Sequence, residues 1–109
     1  MKMPNLNVNL DCARRIAIYA VFDVLDRMGG VYEQTMAGDI RAEVKVLAHT
    51  SEYAFAVTEQ DMDHSILHVS ILRPAKEMTE QDKLLAVRYM MDSILQHIDQ
   101  VQASEKGGK

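Results

Sequence analysis

Between Ile40 and Leu72 the chain alternates apolar and polar residues with a period of two, and this pattern constrains its fold more than any other feature. Ile40, Ala42, Val44 and Val46 are interleaved with Arg41, Glu43, Lys45 and Leu47. Successive strand side chains point to opposite faces, so this is the pattern of a half-buried strand. After a turn at Ala48–Ser51, Tyr53, Phe55 and Val57 alternate with Ala54, Ala56 and Thr58. The polar stretch Glu59–His64 connects to a third run, about Ser65 to Leu72, with Leu67, Val69 and Ile71 on one face. Arg73-Pro74 closes it, because proline cannot donate to a central ladder.

Helical patterns flank these strands. Nothing breaks a helix from Asp11 to Met28, and Gly29-Gly30 supplies a left-handed stop. Farther on, Thr79 and Asp82 stand in capping-box spacing, and Leu84, Val87, Met91, Ile94, Ile98 and Val101 recur at helical intervals. The pattern predicts a two-layer α+β domain in the order α-β-β-β-α, an antiparallel three-stranded meander under two helices. Residues 31–36 also allow a fourth strand. Residues 1–10, with Pro4 and three Asn, read as a loose arm, and residues 104–109 as a frayed tail.

The 109 residues suffice for one core, and 48% hydrophobic content excludes disorder. Cys12 is the single cysteine, which excludes an internal disulfide and fits a reducing, cytoplasmic setting. The apolar run Ile16–Phe22 follows Arg14-Arg15 like a targeting signal, but Asp23 and Asp26 cut it short. It is also far below the roughly 20 residues a bilayer needs, so no membrane partner is expected.

Nucleic acid is not expected either. Double-stranded-RNA-binding modules share this element order but need cations where the second helix starts. Here that position reads Thr79-Glu80-Gln81-Asp82, and the net charge is −4.

For metals, Asp61, Asp63 and His64 are the candidates. His64 and His68 would share a helical face, but four residues along a strand put them about 13 Å apart, too far to grip one ion. Asp-rich turns are usually only turns. No metal, other cofactor or catalytic residue is assigned. Cys12 beside Arg14 and Arg15 has a setting that can activate a thiol, against a bland reading as a buried hydrophobe. His97 reads as a rim or interface residue.

The first helix is apolar over a wide arc, and three strands span only about 14 Å where two helices need roughly 20 Å. A second copy would cover the overhang. The expected interface is Phe22, Leu25, Met91, Ile94, Ile98 and Val101. The chain thus reads as a non-catalytic interaction module, homodimeric, accessory or chaperone-like, with a protein or peptide as a further partner. The alternative is a small-molecule-binding protein or small enzyme with a pocket between helices and sheet, for which Tyr19, Tyr53, His68 and Tyr89 supply the polar groups.

Overall fold

Seven elements follow one another in the computed structural model, which describes residues 4–107, with side chains through Gln102. They are β1 (Asn5–Leu10), α1 (Arg14–Arg27), β2 (Val31–Gln34), β3 (Ile40–Val46), β4 (His49–Asp61), β5 (His64–Arg73) and α2 (Glu80–Gly107). The strands make one antiparallel sheet in the order β1-β5-β4-β3-β2. The α+β class, the two helices and the central meander are as the periodicity predicts. The strand count is not: there are five.

Both extra strands have a physical explanation. The supposed arm is β1, where Leu6, Val8 and Leu10 alternate with Asn5, Asn7 and Asn9. Asparagine has poor strand propensity and hides the period. The pairing Leu6↔Val69, Val69↔Phe55 and Phe55↔Ile40 carries one apolar row across four strands. Residues 1–3 of the arm lie outside the described residues. On the opposite edge, β2 uses only four residues of the ambiguous segment, paired as Val31↔Glu43 through Gln34↔Ile40. Its worth lies in Tyr32, whose ring packs tilted against Phe22 with centroids 5.2 Å apart and whose hydroxyl donates to Asp26 at 2.7 Å.

The hairpins are tighter and longer than the sequence suggests. β3 turns into β4 at Leu47-Ala48, both at positive φ (52° and 76°), so the turn precedes His49 instead of occupying residues 48–51. Neither residue carries the usual Asn-Gly signal of such a turn. At the other end the expected connection 59–64 is mostly strand, and only Met62-Asp63 turn. The Asp61 carboxylate accepts the Asp63 amide at 2.9 Å and closes that turn.

The helices keep most of their expected boundaries. α1 starts three residues late, after Ala13, which caps it with no side-chain bond. It ends where Gly29 takes φ 72°. Thr79 Oγ1 accepts the Asp82 amide and Asp82 accepts the Thr79 amide, both at 3.0 Å, completing the capping box. The backbone of α2 is helical through Gly107, including most of the supposed tail; residues 108 and 109 lie outside the described part.

Both helices cover one sheet face, sealing Tyr53, Phe55, Leu67, Val69 and Ile71 beneath Val21, Leu25, Val87, Met90 and Ile94. The buried stripe of α2 holds Val87, Met91, Ile94 and Ile98 of the expected seam and is wider than it. Leu84 is 43% exposed, whereas Ala86, Met90 and His97 are buried. The five-stranded sheet spans about 24 Å at 4.8 Å per strand, wide enough for two helices. The overhang that called for a second copy is therefore absent. Leu25, Met91, Ile94 and Ile98 of the expected interface lie buried within this one chain, and Phe22 and Val101 are half-buried.

Candidate functional site

The two helices run antiparallel, and their outer edges do not close completely. Arg15, Ile16, Tyr19, Ala20 and Asp23 on α1 face His97, Ile98 and Val101 on α2 across a cleft of about 290 Å³. The α1 side exists because residues 16, 19/20 and 23 recur on one face of a helix. Its floor is apolar, from Ile16, Ala20, Ile98 and Val101. Tyr19, at 66% exposure, stands on the wall toward solvent.

His97 is the unusual member. It is only 7% exposed, and its Nε2 lies 3.0 Å from Asp23 Oδ2, bridging the helices. Asp23 as a carboxylate can only accept, so Nε2 carries the proton. Nδ1 is buried without a partner. Neither ring nitrogen is thus presented to a molecule in the cleft. The sequence read His97 as a rim or interface residue; the signal that could have located it is its spacing of seven from Met90, on the same helical face.

The start of α1 brings Arg15 to one end of the cleft, while Ala13 and Arg14 line an adjoining cleft with Asp11, Glu59, Asp61 and Asp63. Its first turn contains no acidic residue, its N-cap is Ala13, and its first two residues are Arg14 and Arg15. Unpaired amides and two guanidinium groups therefore meet at the positive end of the helix dipole. Arg14 is committed: its Nε donates to the Val57 carbonyl at 2.8 Å, on the part of β4 that extends past β3. Arg15 makes no ion pair among the described residues.

The other sequence candidates are scattered. Tyr53 is sealed in the core, and burial pushes its phenol up to about 12. His68 is on the opposite face of the sheet, bonded through Nδ1 to Asn7 Oδ1 at 2.7 Å and through Nε2 to Thr58 Oγ1 at 3.0 Å. Tyr89 borders a smaller groove with Val24, Arg27, Met28 and Ser93, farther along the same helix pair. Only Tyr19 belongs to the cleft. The space between helices and sheet, where a pocket was expected, is filled by core side chains.

Asp61, Asp63 and His64 meet only as a turn. Asp61 Oδ1 takes both the Asp63 amide and His64 Nδ1, the latter at 2.8 Å. That bond holds the Asp61 carboxyl below its ordinary value and raises His64. Among the described residues no three His, Cys, Asp or Glu side chains are grouped to hold a metal. Cys12 is 3% exposed, and burial pushes its thiol up, so the inert reading of this cysteine is the one the geometry supports. Among the described residues no helix is long and apolar enough to cross a membrane.

No family model and no curated protein matches this sequence. The fold, however, has been seen. The three-dimensional structure of the protein XoxI from Bacillus cereus superposes with a TM-score of 0.55, covering 93% of this chain and 95% of that one at 11% identity. A START superfamily protein from Mycobacterium smegmatis aligns over 94% of this chain and 95% of its own at 12% identity, with a TM-score of 0.42. At such identities the likeness to XoxI concerns the path of the backbone alone.

Proposed function

We propose that this chain is a non-catalytic binding module that takes a small organic molecule in the cleft between α1 and α2. The observation that carries this reading is the cleft itself: an apolar floor between two helices, with the polar side chains of Arg15, Tyr19 and Asp23 along its α1 wall. Concave apolar sites with a few fixed polar groups are the usual form of small-molecule sites, and about 290 Å³ suits a compact ligand. The reading assigns binding rather than chemistry because a general base must reach the proton it takes. His97 spends Nε2 on Asp23 and buries Nδ1. The buried thiol of Cys12 suits a reducing compartment, and the reading keeps the protein in the cytoplasm.

Two measurements test it. Native mass spectrometry of the protein purified from its source should show an adduct lost on denaturation. Amide chemical-shift mapping with a fragment library should give hits concentrated on Ile16, Tyr19, Ala20, Asp23 and His97. A library that moves none of these resonances sinks the reading. The homodimer is a separate proposal; of its expected surface, Phe22 and Val101 keep part of their exposure. The exposed apolar groups left on the helix layer are Tyr19, Leu84, Leu85 and Tyr89, and sedimentation equilibrium decides whether a second copy covers them.

A further inference from the structure

We infer that the ligand of the cleft is a compact monocarboxylic acid with an aromatic or branched apolar body, its carboxylate held by Arg15. The inference rests on the binding role proposed above and adds the chemical class. Two observations carry it. Arg15 lines one end of the cleft and, among the described residues, has no ion pair. The body of a ligand entering there lies on Ile16, Ala20, Ile98 and Val101, which offer no polar partner.

The charge of the headgroup follows from what surrounds it. Arg14 lines the adjoining cleft, where its Nε is held by the Val57 carbonyl, leaving Arg15 as the single guanidinium on this one. One planar guanidinium matches one carboxylate and leaves a dianion such as phosphate half-neutralised. Asp11, Glu59, Asp61 and Asp63 line the adjoining cleft on the far side of Arg15, and none pairs with it. At the other end Asp23, two turns or about 12 Å along α1, repels a second anionic group and so orients the acid toward Arg15.

The test compares phenylacetate with its uncharged isostere phenylacetamide, each titrated into the protein while amide shifts are followed. Both should move the resonances of Ile16, Ala20 and His97. The acid should bind about five-fold tighter, the upper end for an exposed charge pair. In Arg15→Gln, an exposed substitution that leaves the core untouched, the ratio should fall to near one. Equal affinities in the unsubstituted protein overturn the carboxylate assignment while leaving the cleft as a binding site. A preference for the acid that survives Arg15→Gln also overturns it, because another cation then holds the headgroup. If neither compound moves a cleft resonance, the binding role itself fails and the inference falls with it.

Discussion

Replacing Ile98 with alanine separates a residue that seals its own chain from one that seals an interface. Ile98 is 4% exposed, between the core and the cleft floor. The change removes three carbons, at about 0.8 kcal/mol each, or about 2.4 kcal/mol of lost burial. A closed cavity would add a further penalty and push the total toward about 5 kcal/mol. Here the space opens into an existing cleft that water can enter, so the cost should stay near the transfer value. With a urea dependence of about 1.5 kcal/mol per molar, the unfolding midpoint should drop by about 1.6 M. The assay is equilibrium urea unfolding followed by circular dichroism, at low and at high micromolar protein. Because the neighbours of Ile98 are in the same chain, the difference between variant and parent should be the same at both concentrations. A loss under about 1 kcal/mol would refute the burial of Ile98, and a difference that changes with dilution would show that a second copy completes the site.

Three other outcomes are expected. Thr79→Ala removes the hydroxyl that accepts the Asp82 amide and should cost about 1 kcal/mol, read as a lower melting temperature; no change would mean the capping box is idle. Cys12 should react with a thiol reagent at neutral pH only as fast as the protein opens, and rapidly in denaturant; fast labelling of the native chain would contradict its burial. The His64–Asp61 pair should act between their two titrations. Raised His64 gives stability that is present below its ordinary value of 6.5 and lost as pH climbs through the folded value. Lowered Asp61 gives stability present above 3.8 and lost as pH falls through its own folded value. Imidazole resonances in a pH titration should show His64 returning toward 6.5 in Asp61→Asn; an unmoved His64 would exclude the bond.

The central hairpins and both helices were legible because their signals are local. A two-residue period from Ile40 to Val46 and from Leu67 to Ile71 decides which face is buried whatever else the chain does. The capping box at Thr79 and the glycine stop at Gly29 likewise depend only on neighbours within a few residues. The strand β1 was hidden because Asn5, Asn7 and Asn9 offset the strand preference of the apolar residues between them. Their extended form is decided by the free edge of β5, some sixty residues away, which offers unpaired amides and carbonyls. Those two edge strands in turn set the width of the sheet, and with it how much of the apolar arc on α1 is covered within the chain, as Tyr32 covers Phe22. The cleft is of the same kind. Nothing local ties Asp23 to His97, 74 residues apart, and only the antiparallel docking of two helices on a sheet brings a carboxylate and an imidazole within 3.0 Å. Periodicity tells a side chain which way to face, since that is fixed by backbone geometry; what it meets there depends on which distant surface loses water against it, and that is a property of the assembled fold.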